Sequence, residues 1–452
     1  MYVASTRHAE RCDLDHLVGR RARYTAQYAF ENSPFYHDLF REHNVHPKDI
    51  DSPEDLLKKL PIVTKKDIVD NQPPNSDDYR FFSAPKDQWA ISNYTSGTQG
   101  TSKVFLRSHD DIDISKIELR RAYEIAGVKE DDTVLIVLPY GMGTSGVAAT
   151  RGFEKLAHVL TAGIGDNPPK TELVEYHKPT VLFGSPSSVA RLARRFELAG
   201  TDPTETSIER ILTVSEPLSK EMKEFISKRW NAEVRNNYAS TEGDLMATEC
   251  DMQEGLHHVK EDYLWLRAID PETKELKDEG ETGWDVITTL VPEGTYCGMV
   301  LINYQHGDKF KMLGDECGCG SILHKISPPI RAGELGELEV GYTRIGLDEL
   351  EAVMLRPEFT DYLTGEYEVI KEYDSSESLH KIKLRVETRG KTHKDLVKWI
   401  CDSVHNHFTL NIVATGPSRV ADIYVETVPE GRLDIYKQKG KPKRIITKKN
   451  KF

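Results

Sequence analysis

The sequence predicts an α/β protein: a large N-terminal domain with parallel and mixed sheets and helices, followed by a small α+β C-terminal domain. Three observations carry that expectation. From about Asp132, short β-branched runs alternate with amphipathic segments, the order in which parallel strands and their crossover helices follow one another. A Gly-, Pro- and acid-rich stretch from Pro328 to Gly341 interrupts this texture. Beyond it, a strand-like and a helix-like run stand by themselves, so the expected domains are residues 1–330 and 331–452.

The elements follow in order. The N-terminal part reads as helical. Ser52-Pro53-Glu54-Asp55 supplies a cap, a first-turn proline and a capping-box acid ahead of Leu56, Leu57 and Leu60. Thr64-Lys65-Lys66-Asp67 repeats the signal before a second short helix. The runs 133–138, 180–183 and 211–214 read as buried strands. Met222, Phe225, Ile226 and Trp230 fall at helical spacing, giving one apolar face to dock on a sheet. After Glu261 the pattern turns β-rich, with turn signals at Asp270-Pro271-Glu272-Thr273 and Glu279-Gly280. Lys381 to Thr388 reads as a strand and His393 to His405 as a helix; the tail from Tyr436 holds eight basic residues and no acid.

Composition excludes several classes. With 452 residues there is room for two to four domains at ~100–200 residues each. Hydrophobic residues make up 38% and charged residues 29%, a globular rather than a disordered balance. The net charge of -13 argues against a nucleic-acid-binding face. No apolar run approaches the ~18 residues of a membrane span, and Met1 to Asp15 shows no apolar secretory core. Six cysteines in so long a chain do not make a disulfide scaffold. The expected location is cytoplasmic.

The most informative segment is Thr95-Ser96-Gly97-Thr98-Gln99-Gly100-Thr101-Ser102-Lys103. Its glycines let backbone approach an anion closely, its hydroxyls and amides offer donors, and Lys103 adds a point charge suited to a polyphosphate. It lacks the Gly-Lys-Ser/Thr ending of a Walker loop.

A second cluster points to a metal. Cys250, His257, Cys317 and Cys319 offer three thiolates and one imidazole, the donor set of a closed, structural Zn²⁺ site. Cys12, Cys297 and Cys401 lack comparable partners and are expected to be packing residues.

The phosphate-type loop resembles the signature of adenylate-forming enzymes, Thr/Ser-Ser-Gly-Thr-Thr-Gly-x-Pro-Lys, with Gln99 and Ser102 as departures. Asn237-Tyr238-Ala239-Ser240-Thr241-Glu242 is similar to the Tyr-Gly-x-Thr/Ser-Glu element of that superfamily. The resemblance implies that the aromatic stacks on adenine, the hydroxyl residue meets the phosphates and Glu242 holds Mg²⁺. Asn303-Tyr304-Gln305-His306-Gly307-Asp308 resembles the Tyr-Arg-Thr-Gly-Asp element, whose aspartate binds the ribose; Gln305 and His306 depart from it. Gly440-Lys441 is similar to the mobile C-terminal lysine that contacts the reacting carboxylate and the α-phosphate.

The resemblance narrows to the phenylacetate–CoA ligase branch. It is carried by Glu31-Asn32-Ser33-Pro34-Phe35-Tyr36, the segment Leu60 to Asp67, Gly255-Leu256-His257, Cys317-Gly318-Cys319-Gly320 and Gly440 to Arg444. It implies a large adenylation domain with a small mobile lid.

The implied reaction takes ATP and an organic, aromatic carboxylic acid to an acyl-adenylate, then transfers the acyl group to CoA. Lys441, Glu242 and Thr98 are the implied catalytic residues. Nucleotide contacts fall to Thr95, Ser96, Gly97, Thr98, Gly100 and Lys103, to Ser215, Glu216 and Pro217, and to Asn237, Tyr238, Ala239, Ser240, Thr241 and Asp308. The acid pocket falls to Tyr140, Gly141, Met142 and Gly143, which follow a strand, and to Ser185; ends of strands are where open α/β sheets place their sites. A homodimer is left open.

One departure weakens the thiol-transfer half. At the hinge stand Arg331 to Gly336 and Gly341 to Arg344 where the superfamily has Gly-Arg-x-Asp-Asp and an Arg-Gly pair, although the helix from Leu347 to Val353 is recognisable. A non-CoA acceptor (an amine, a protein side chain or a deazaflavin that takes AMP) is therefore the alternative, and a non-catalytic nucleotide-binding regulator the third reading.

Overall fold

The computed structural model describes residues 10–94, 102–141, 145–163, 169–331, 337–340, 343–374, 379–390, 393–408, 421–437 and 444–447. The chain forms two compact units. The first comprises Met1–Ser185, Ser207–Ser215 and Arg235–Pro329; the second comprises Pro186–Thr206, Glu216–Val234 and Ile330–Phe452. As predicted, the architecture is α/β.

An eight-stranded sheet dominates the first unit. Its spatial order is Lys325–Ile326, Leu256–His258, Asp244–Glu249, Glu233–Ser240, Arg210–Thr213, Val181–Gly184, Thr133–Ile136, His158–Thr161. The β-branched runs form its parallel part, with Leu135 opposite Leu182 and Leu182 opposite Ile211. All three are fully buried, as strands covered on both faces must be. The first run is apolar to Leu138, yet the strand closes at Ile136. Val137 and Leu138 stay buried, and Pro139 follows with no N–H for a ladder. The other end of the sheet is antiparallel.

A second sheet of the first unit pairs Leu264–Ile269, Thr282–Thr289 and Asp308–Lys311 antiparallel. The expected turn between the first two forms at Asp270, whose carboxylate accepts from the N–H groups of Glu272 and Thr273.

The N-terminal helices start where their caps predict. Ser52 and Asp55 exchange hydrogen bonds around the first turn of Pro53–Lys59, and Thr64 and Asp67 form the corresponding box before Lys65–Asp70. This N-terminal region braces the segment 302–305, which bridges the second sheet at Ile287 and Tyr304. The Tyr36 hydroxyl accepts from the Ile302 N–H at 2.7 Å, Val63 N–H donates to Asn303 O at 2.9 Å, and Gln305 N–H donates back to Val63 O at 2.9 Å. Asn303 Nδ2 donates to Leu56 O at 2.8 Å. The N-terminal motifs thus hold the segment that carries Tyr304 and His306.

In the second unit, Ala421–Pro429, Leu379–Thr388, Leu363–Asp374 and Ile445–Thr447 form a four-stranded sheet in that order. The helices Leu347–Met354 and Leu396–Phe408 contribute Leu350, Val353, Ile400 and Val404 to its core. The helices Pro186–Leu198 and Lys220–Trp230 meet through Phe196 and Trp230, edge to face at 5.4 Å. Arg191 bonds Glu366 at 3.1 Å. In the segment expected to be the hinge, Glu337–Val340 and Thr343–Gly346 pair antiparallel; residues 332–336 and 341–342 lie outside the described residues.

One cysteine expectation is corrected. Cys12 is exposed near the start of the helix Arg11–Asn32, between the charged Arg11 and Asp13, and is not among the buried core residues of the described chain. Cys297 is buried and Cys401 half-buried. Among the described residues, no helix is long and apolar enough to cross a membrane.

Candidate active site

Lys103 leads into the strand Val104–Ser108, and Glu242 lies in the turn between the strands Glu233–Ser240 and Asp244–Glu249. The Lys103 ammonium lies 2.6 Å from Glu242 Oε1, and the Tyr304 hydroxyl donates to the same oxygen at 3.1 Å. Both charged side chains are about nine-tenths buried, at 10% and 6% exposure. Burial alone would raise the Glu242 pKa, but the Lys103 ammonium and the His306 imidazole hold it well below the usual carboxylate range. Arg107 fixes this turn from beneath. Its guanidinium donates to Thr241 O at 3.0 Å and Glu242 O at 3.1 Å, and meets Asp244 at 3.2 Å.

The second centre is Asp308, whose carboxylate accepts from the Tyr238 hydroxyl at 2.8 Å. Asp308 is held by the chain before it. The N–H groups of His306, Gly307 and Asp308 all donate to the fully buried Asp285 carboxylate at 2.8–2.9 Å. Gly307 takes a φ of +95° in this turn, a conformation that glycine adopts at least cost. His306 Nδ1 meets Asp285 Oδ2 at 2.5 Å, and its Nε2 lies 3.0 Å from Ser240 Oγ. Burial lowers the His306 pKa, but the carboxylates of Asp285, Glu242 and Asp308 together outweigh it and raise the value. Sequence reasoning missed Asp285 and Arg107. A lone acid ahead of Val286-Ile287 in a buried strand was the available signal for Asp285.

The fold therefore brings Lys103, Tyr238, Ser240, Thr241, Glu242 and Asp308 into one neighbourhood of the first unit. Ala239 lies in the same strand. Asn237 spends its amide on the scaffold, donating to Thr213 O at 3.1 Å and accepting from the Thr248 hydroxyl at 2.7 Å.

Ser185 is buried just after the strand Val181–Gly184. Ser215 follows the strand Arg210–Thr213 with φ +78°. Glu216, next to Pro217, accepts from the Ser187 N–H at 3.1 Å and hydroxyl at 2.9 Å. Tyr140 is 40% exposed, with its hydroxyl 2.8 Å from Thr150 Oγ1, and Gly141 adjoins it. Thr95, Ser96, Gly97, Thr98, Gly100, Met142, Gly143 and Lys441 lie outside the described residues.

The cysteine–histidine set also converges. The ligand atoms of Cys250, His257, Cys317 and Cys319 all lie within 4.8 Å of one another. Cys250 Sγ is 3.6 Å from Cys317 Sγ, and Cys319 Sγ is 3.3 Å from His257 Nε2. Tetrahedral Zn–S bonds of about 2.3 Å imply edges near ~3.8 Å, so these separations fit a metal shell. His257 Nδ1 lies 3.2 Å from Leu323 O, which turns Nε2 toward the sulfurs in the manner of metal-bound histidines. Burial and the adjoining thiols push the Cys319 pKa up to about 12.

The profile of the AMP-binding enzyme family matches residues 37–283. The chain belongs to that family. Within this adenylate-forming superfamily it falls in the phenylacetate–CoA ligase-like branch. It is 30% identical over 308 residues, 68% of each chain, to a phenylacetate-coenzyme A ligase of Aromatoleum evansii. It is 27% identical over 331 residues to that of Thermus thermophilus, covering 73% of this chain and 72% of the relative. Among solved structures, 2-hydroxyisobutyryl-CoA ligase in the postadenylation state superposes with a TM-score of 0.81 at 19% identity, over 97% of this chain and 90% of that one. An anthranilate CoA ligase gives 0.51 at 17% identity, over 78% and 65%. At such identities these likenesses establish the shared adenylate-forming fold, a large domain with a small C-terminal one.

Proposed function

We propose that this enzyme is an AMP-forming acid–CoA ligase acting on an aromatic carboxylic acid. In its first half-reaction the carboxylate oxygen attacks the α-phosphorus of ATP, and pyrophosphate leaves. In its second the CoA thiol attacks the acyl carbonyl, and AMP leaves. The observation that supports it best is the convergence of Lys103 and Glu242 with the Tyr238–Asp308 pair in one site. A lysine and a cation-binding carboxylate suit the phosphates; a tyrosine and an aspartate suit adenosine.

Positioning and charge neutralisation carry most of the rate in this chemistry. Glu242 would hold Mg²⁺, which supplies charge neutralisation on the phosphates when bound. Thr95 to Gly100, with Thr98 among them, would wrap the phosphates, and Lys441 would reach the reacting carboxylate. Tyr140 to Gly143 and Ser185 would line the acid pocket, with residues 331–452 as the lid. The phenylacetate-coenzyme A ligases among its relatives support an aromatic acid and CoA. The Cys250–His257–Cys317–Cys319 shell would hold a structural Zn²⁺, and the location would be cytoplasmic.

A pyrophosphate-release screen over aryl and aliphatic acids, with and without CoA, tests the reading. Release with an aryl acid and formation of its CoA thioester are expected. Activity on aliphatic acids alone overturns the aromatic substrate. Release without any thioester overturns CoA as acceptor.

A further inference from the structure

We propose that His306, clamped by Asp285, is a positioning residue that turns the Ser240 hydroxyl toward the phosphate of bound nucleotide. The inference rests on the reading of this site as an adenylate site, and it assigns roles to two residues, Asp285 and His306, the second of which departs from the motif this segment resembles.

The geometry is a chain of three groups. Asp285 Oδ2 lies 2.5 Å from His306 Nδ1, and His306 Nε2 lies 3.0 Å from Ser240 Oγ. A Ser–His–Asp line of this kind invites comparison with an activated nucleophile. The remaining contact of Ser240 argues otherwise. Its Oγ also accepts the Gly243 N–H at 2.9 Å, and a hydroxyl oxygen already accepting from backbone is a poorer nucleophile and a better relay.

The proton count decides what the relay does. A serine hydroxyl has one O–H to give and two lone pairs. The Asp285 carboxylate accepts, so Nδ1 carries a proton. Asp285 also collects three backbone N–H bonds, which fix its carboxylate against the ring; against the lowering effect of burial, that carboxylate, with those of Glu242 and Asp308, raises the His306 pKa and so favours the imidazolium. In the imidazolium Nε2 also carries a proton, and its contact at 3.0 Å then donates to Ser240 Oγ. With Gly243 on one lone pair and His306 on the other, the Ser240 O–H has nowhere to point but outward. Ser240 is half-buried, two residues before Glu242, beside the carboxylate that meets Lys103. An anionic phosphate oxygen there is the acceptor such a donor fits.

His306 is built to be rigid in this role. It is 4% exposed, and its ring meets the Tyr304 ring edge to face at 5.2 Å. Tyr304 in turn donates to Glu242. The same short segment thus sets the hydroxyl of Ser240 and the carboxylate of Glu242 together.

The test is AMP binding by calorimetry together with pyrophosphate release, on Ser240→Ala, Ser240→Thr, His306→Gln and the Ser240→Ala/His306→Gln double variant. One charge-assisted hydrogen bond is worth about tenfold or more in binding. Ser240→Ala and His306→Gln should each weaken AMP binding about tenfold, Ser240→Thr should retain it, and the double variant should be no worse than Ser240→Ala. Losses that multiply in the double variant overturn the relay, as does unchanged binding in His306→Gln. If instead the wild-type protein binds no AMP, the adenylate-site reading itself fails, a result distinct from wild-type binding that the variants leave intact. Equal melting temperatures of Ser240→Ala and wild type separate loss of binding from loss of fold.

Discussion

Lys103 and Glu242 neutralise one another in the folded chain, with 2.6 Å between ammonium and carboxylate and the Tyr304 hydroxyl on the same oxygen. The lysine proposed to meet the phosphates and the carboxylate proposed to hold Mg²⁺ are thus ion-pair partners in the folded chain. Neither charge is left buried by itself, and a polyphosphate with its cation can satisfy both.

This pairing predicts an asymmetry in stability. Glu242→Gln leaves the Lys103 ammonium buried against a neutral amide, and removing one partner of a buried pair costs about 3 kcal/mol. The double variant Lys103→Met/Glu242→Gln should recover part of that loss. Urea unfolding reads both; a double variant less stable than either single one contradicts the pairing. Both variants should lose adenylation by orders of magnitude.

The same pair predicts a pH dependence. Because the Glu242 pKa is lowered in the folded chain, its contribution is present above the unfolded carboxylate value of about 4.3. It is lost as pH falls through the folded value. Wild type should therefore lose more stability than Glu242→Gln on acidification from about pH 6 to about pH 3. Parallel stability curves for the two proteins would rule this out.

Zinc should track stability rather than chemistry. Cys317→Ser removes one ligand of the proposed closed shell, so zinc content and melting temperature should fall together. Cys12→Ser, at an exposed position, should change neither. Elemental analysis that finds no zinc in gently purified, active protein refutes the site.

Lys441 should separate the half-reactions. If it bridges the carboxylate and the α-phosphate, Lys441→Ala loses adenylation by orders of magnitude while ATP still binds. Thioester formation from a pre-made acyl-adenylate should survive. Equal loss of both half-reactions contradicts that role.

Much of this was legible in the chain. Capping boxes at Ser52 and Thr64 announced their helices because the bonds involved span three residues. The runs around Leu135, Leu182 and Ile211 announced buried parallel strands because burial on both faces demands continuous apolar sequence. Cys250, His257, Cys317 and Cys319 stood out because so few residue types bind soft metals, and the fold gathers them. Cys12 shows the converse: nothing in its composition says which face of a helix meets solvent.

Local structure, the residue types of the site and the family that they mark are therefore written along the chain, because each follows from chemistry between near neighbours or within a motif. Partnership is not. Folding pairs Lys103 with Glu242, Tyr238 with Asp308, Asp285 with His306, and Val63 with the segment that carries Tyr304. Those pairings join residues far apart in the chain. A carboxylate's energy depends on which charge and which N–H groups lie within a few ångströms, a distance that packing sets and that no spacing along the sequence encodes.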